Sequence, residues 1–107
     1  MNGAISPDLA KLAEFLDEAE TLLRQHHIPH WADWLARDAQ LIRNKDFYGI
    51  EHLRSAFGGM GSLNDLNLAV RHPDNPKLLI SSPEDQRFQC LLNKIRALSS
   101  TLYNEER

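Results

Sequence analysis

Three of the chain's five glycines fall within four positions, at Gly58, Gly59 and Gly61, and apolar residues at helical spacing lie on both sides of them. Glycine reaches backbone angles that other residues reach only with strain, and it lets a second backbone come close. Residues 57–68 are therefore expected to form a sharp turn, with helices packed around it.

Before that turn the pattern is helical. Ser6 can cap a first turn, Pro7 suits the first helical position, and Asp8 faces the positive end of the dipole. Leu9, Leu12, Leu16, Ala19 and Leu23 recur at spacings of three and four, widened by Ala13, Phe15 and Leu22, which predicts an amphipathic helix to about Gln25. Its other side carries Glu14, Asp17 and Glu18, with Glu20 nearer the boundary: a solvated face, or an acidic patch for a basic partner. Pro29 ends this helix among His26, His27 and His30. Three histidines suggest a metal, but a site needs a full ligand set in fixed geometry, and histidines suit a helix C-terminus without one; no metal is expected.

A second helix is predicted from Pro29 or His30 to Asn44, with Trp31, Trp34, Leu35, Leu41 and Ile42 on one stripe. The tryptophans read as core, with an exposed binding anchor as the alternative. Asp38 falls on the same stripe, and a buried carboxylate needs a partner. It reaches the rim, pairs with an arginine such as Arg37 or Arg54, or marks a site. A third helix over 47–57, capped by Asp46, presents Phe47, Ile50, Leu53, Ala56 and Phe57. Gly49 inside it costs about 1 kcal/mol against alanine. Gly58 and Gly59 stop it.

In the turn itself Leu63, Leu66 and Leu68 are expected to plug the core, while Asn64 and Asp65 bond to nearby backbone. Ser62 and Asp65 have capping-box spacing. A very short hairpin pairs 66–70 with 78–80 across a loop rich in proline. The last helix opens with Ser82 as cap, Pro83, Glu84 and Asp85 as the other half of a capping box, and continues through Phe88, Leu91, Leu92, Ile95, Leu98 and Leu102. Cys90 lies beside that stripe and reads as a buried or half-buried structural thiol. The tail from Asn104 is expected to fray. The expected fold is a single all-α domain over 1–107, a compact bundle of about four helices with a glycine-rich turn and a very short β-hairpin before the last helix.

Composition narrows function. With 107 residues, 42% apolar and 25% charged, the chain can bury a core, and a net charge of −3 argues against nucleic acid as partner. No apolar run approaches the roughly 20 residues of a membrane helix, and residues 1–5 lack a signal-peptide pattern. One cysteine fits a reducing compartment, so a cytoplasmic location is expected. The glycine turn matches neither phosphate-binding template, so no nucleotide cofactor is expected. Ser62 and Asp65 could be assembled with any of five histidines into a triad, but triads are recognised by geometry.

Residues 56–66, Ala-Phe-Gly-Gly-Met-Gly-Ser-Leu-Asn-Asp-Leu, follow a short helix containing His52 and Leu53. They resemble the GGMGSLND signature of a family of small, mostly helical bacterial proteins, similar in size and genetic habit to immunity proteins of polymorphic toxin systems. The resemblance implies a helical fold and a non-enzymatic protein that binds and neutralises a cognate toxin, and it implies no catalytic residues. The surfaces suited to a basic cleft are Glu14, Asp17 and Glu18 on the first helix, or the polar loop around Asn64, Asp65, Arg71 and Asp74. The alternative is a small enzyme or ligand-binding domain with its site at 59–65, where Asp65 acts as acid or base. A third reading is a regulatory module that dimerises through exposed tryptophans, so monomer and dimer both stay open.

Overall fold

Ser6 opens the first helix by accepting the Leu9 backbone N–H on its Oγ at 3.3 Å, with Pro7 in the first helical position. In the computed structural model, which describes residues 6–57, 62, 63, 66, 68, 70, 71, 74, 75, 79, 80 and 82–106, this helix is α1, Pro7–Gln25. It buries Leu12, Ala13, Leu16, Ala19 and Leu23, the expected stripe, with Leu9, Phe15 and Leu22 at its margins. Helix α2 spans Pro29–Arg43 and buries Ala32, Leu35, Asp38, Ala39 and Ile42. Its stripe is rotated from the expected one: the centre is held by small residues, and Trp31 and Trp34 lie half-buried against the core.

Both helices end on a residue in the left-handed region that is not glycine. His27 has φ 59°, and the Ile28 N–H donates to the Leu23 carbonyl at 2.9 Å. Lys45 has φ 60°, and the Asp46 N–H donates to the Leu41 carbonyl at 2.9 Å. Each stop satisfies carbonyls that a helix end leaves unpaired and turns the chain sharply.

Helix α3 is Tyr48–Arg54, shorter than the expected 47–57. Asp46 caps it as expected, its Oδ1 accepting the Tyr48 N–H at 3.0 Å. The helix tightens before the glycines: the Ala56 and Phe57 N–H groups donate three residues back, to Leu53 and Arg54, at 3.0 and 3.2 Å. The Leu63 N–H then donates to the Ala56 carbonyl at 2.8 Å, folding the chain back. Leu63 and Leu68 are fully or nearly fully buried and Leu66 packs against them, so these three leucines do plug the core. Gly58, Gly59, Met60, Gly61, Asn64 and Asp65 lie outside the described residues.

Strands β1, Val70–Arg71, and β2, Leu79–Ile80, form a two-residue antiparallel ladder, Val70 opposite Ile80. The ladder is shorter than expected because α4, Pro83–Glu106, takes the backbone of the preceding residues. The Leu68 N–H donates to Asp85 Oδ1 at 2.7 Å, Ser82 Oγ donates to the Leu68 carbonyl at 3.1 Å, and Gln89 Nε2 donates to the Leu66 carbonyl at 3.0 Å. Ser82 also caps α4, its Oγ accepting the Asp85 N–H at 3.0 Å. Beyond that, α4 buries Phe88, Leu91, Leu92, Ile95 and Leu102 and stays helical to Glu106, so the expected fraying at Asn104 is not seen. Cys90, expected to be at least half-buried, is exposed: it sits one residue from the stripe on the side turned to solvent. Helix α1 packs against α2 and α4, and α3 packs against the same two, giving an all-α bundle around one apolar cluster.

Candidate functional site

Helix α2 carries Trp31, Trp34 and Asp38 at spacings of three and four, which places them along one face. Helix α3 carries Tyr48 and His52 four apart, facing them. Gly49 between these two lets the helices touch: a Cβ there would meet Leu41 Cβ at 2.8 Å and the Asp38 carbonyl oxygen at 3.2 Å.

This approach gives Asp38 its partner. The residue is 0% exposed, and its Oδ1 lies 2.5 Å from His52 Nδ1. It neither reaches the rim nor pairs directly with an arginine. Arg54 sits over the Tyr103 ring at 4.0 Å instead, and Arg37 acts on Asp38 only through its charge. Nothing in the local pattern names His52, which lies 14 residues away on another helix; only an acid in an apolar stripe signals that some such group is required.

Around this pair the rings are continuous. His52 stacks on Trp34 at 4.1 Å and 17°, Trp34 tilts against Trp31 at 5.1 Å, His30 meets Trp31 edge-on at 4.9 Å, and Tyr48 tilts against His52 at 5.6 Å. His30 and Tyr48 are exposed, the tryptophans are half-buried, and the His52 side chain is 20% exposed.

Burial pushes the Asp38 carboxyl up to about 6, against the hydrogen bond and charge of His52, the charge of Arg37 and the Trp34 indole. The indole helps by proximity alone, since Trp34 Nε1 and Asp38 Oδ2 are both buried without a partner in hydrogen-bond geometry. An ionised Asp38 carboxylate can only accept, and in that form of the pair the proton of this bond is carried by His52 Nδ1. No described residue hydrogen-bonds His52 Nε2. Such a nitrogen can accept a hydrogen bond or a proton. Among the described residues no hydroxyl or thiol hydrogen-bonds it.

Two of the expected docking residues, Asp17 and Glu18, hold ion pairs within the chain. Asp17 takes both terminal guanidinium nitrogens of Arg43, at 2.5 and 3.1 Å, clasping α1 to α2. Glu18 takes two nitrogens of Arg87, clasping α1 to α4, and that bond holds its carboxyl below the usual range. Glu14 is exposed. Asp74 is exposed, Arg71 contributes its backbone to β1, and Asn64 and Asp65 lie outside the described residues. The three histidines near Pro29 have separate places: His26 caps α1, His27 makes the left-handed turn, and His30 joins the rings. Among the described residues no group of three His, Cys, Asp or Glu could hold a metal, and no helix is long and apolar enough to cross a membrane. An open groove of about 450 Å³, lined by Leu9, Ile42, Phe47, Ile50 and Leu102 among others, shares no residue with the ring cluster.

The family described as a domain of unknown function (DUF6966) matches residues 24–73. That stretch holds α2, α3, all five rings, Asp38 and the glycine turn, and it leaves out most of α1 and all of α4. No curated protein and no solved structure matches the chain.

Proposed function

We propose that this chain is a non-enzymatic binding protein of the immunity type, which acts in the cytoplasm by occupying a protein toxin. The observation that carries this reading is the ring face of α2 and α3: Trp31, Trp34 and Tyr48 reach the surface together, on a rigid two-helix joint. Tryptophan and tyrosine are the side chains that most often dominate protein–protein binding energy. Small size, a net charge of −3 and the resemblance of the glycine signature support the same reading. The ring face takes the leading role from the acidic face of α1, because Asp17 and Glu18 already hold α1 to its neighbours. Glu14 stays exposed and adds negative field toward a basic partner.

The test is co-expression of the tagged chain with the product of the neighbouring gene. The expected result is a stoichiometric complex with a protein that kills cells when expressed alone. The double change Trp31→Ala, Tyr48→Ala should weaken that complex by about 100-fold or more, as removal of paired hot spots does, with helical circular dichroism retained. A monomer without a partner, or a complex indifferent to both changes, overturns the reading.

A further inference from the structure

We propose that the ring face receives an arginine side chain of its partner, with His52 Nε2 as the acceptor that reads it; this rests on the binding reading above and names the chemistry of what is bound.

Three observations converge on that chemistry. The first is direction. Asp38 is wholly buried and lies 2.5 Å from His52 Nδ1, so the ring is fixed with Nε2 turned from the acid; with the carboxylate accepting at Nδ1, Nε2 is left as the acceptor. A carboxylate or carbonyl brought to Nε2 would meet a lone pair; an N–H donor completes it. The second is the platform. Trp34 and His52 stack nearly parallel, Trp31 and Tyr48 are tilted against them, and Tyr48 is exposed while Trp31 is half-buried. A guanidinium is planar and weakly hydrated, so it can lie on a ring and donate from its edge at once, which a lysine ammonium cannot. The third is charge. Asp38 lies directly behind the imidazole, and Glu51 is exposed on α3 next to His52. Arg37 is the one nearby cation shown to act on this group, and it does so without a direct bond to Asp38. The chain makes the same pairing within itself, with Arg54 over the Tyr103 ring at 4.0 Å.

The test uses the intact chain and three small probes: blocked arginine (the N-acetyl, N-methylamide derivative), blocked citrulline as its uncharged near-isostere, and blocked lysine. Nitrogen-15 spectra of the free protein should show His52 protonated at Nδ1 and bare at Nε2. Blocked arginine should then shift the Nε2 resonance and the tryptophan emission, with citrulline and lysine weaker by about tenfold, the scale of one cation–ring contact with a charge-assisted bond. His52→Asn keeps a side-chain N–H for Asp38 and deletes the Nε2 acceptor, so it should lose most of the arginine response. If that variant does not fold, the probe comparison on the unchanged protein decides. A proton found on Nε2, equal binding of arginine and citrulline, or no arginine response overturns the proposal. Each of these leaves toxin binding through the rings standing. Loss of the toxin complex would sink the binding reading without altering the tautomer.

Discussion

A Cβ placed on Gly49 would lie 2.8 Å from the Cβ of Leu41, so α3 rests on α2 at a separation that only glycine permits. Leu41 meets it with an atom fixed to its own backbone, which cannot swing aside. In an isolated helix, Gly49→Ala would gain about 1 kcal/mol from propensity. Here the clash outweighs that gain, and overpacking at a helix joint costs about 1–3 kcal/mol. Urea unfolding should show the alanine protein less stable than the parent, with an altered near-ultraviolet signal from Trp34 under His52. An alanine protein of equal or greater stability would mean the joint can open freely.

The same joint makes Asp38 a source of pH dependence. Its carboxyl has a pKa of about 6 in the folded chain against an ordinary value of 3.8. Folding therefore favours the protonated form. The contribution is fully present below about pH 4 and is lost as pH rises through about 6. A shift of about 2 units corresponds to about 3 kcal/mol at most. Asp38→Asn has nothing to ionise there, so the stability of the parent minus that of the variant should fall between pH 4 and 7. A rise over that interval would show that pairing with His52 outweighs burial.

What could be read from sequence follows the range of the forces involved. The starts of α1 and α4 are set by Ser6, Pro7, Ser82 and Pro83, and their buried stripes by spacing, all within a few residues. Asp38 was legible as a demand for a partner, while His52 was not legible as the supply, because the two meet only when α3 closes on α2. Asp17 and Glu18 read as solvated on a helical wheel and both side chains do stay partly exposed, but a wheel does not show Arg43 and Arg87 arriving from neighbouring helices. The hairpin was expected too long for a similar reason: the backbone of Leu66 and Leu68 is taken by side chains of α4.

That last contact supports a mutational test. Asp85 is 7% exposed and accepts the Leu68 N–H at 2.7 Å, while Ser82 donates to the Leu68 carbonyl at 3.1 Å. Asp85→Ala leaves a buried N–H without this acceptor and should cost about 1–3 kcal/mol. Ser82→Ala removes the α4 cap as well as the second bond and should cost about 1–2 kcal/mol. Because both act on one residue, the double variant should depart from additivity by at least about 0.5 kcal/mol. Strict additivity in chemical denaturation would mean that Leu68 is held by packing alone.

His27 offers the opposite case, a substitution that stabilises. Its φ of 59° lies in the left-handed region, where a Cβ crowds the backbone at a cost of about 1–2 kcal/mol. The turn needs only its backbone: the His27 N–H donates to the Arg24 carbonyl at 3.1 Å and the following N–H to Leu23 at 2.9 Å. Glycine removes the crowding but gives the unfolded chain more freedom, which returns about 0.5–1 kcal/mol. The net expectation for His27→Gly is a gain of about 0.5–1 kcal/mol, or a rise in Tm of a few degrees in a domain of this size. His27→Ala is the control: it keeps the Cβ and should show no such gain. Equal melting of the glycine and alanine proteins would show that the α1 stop holds no strain at His27.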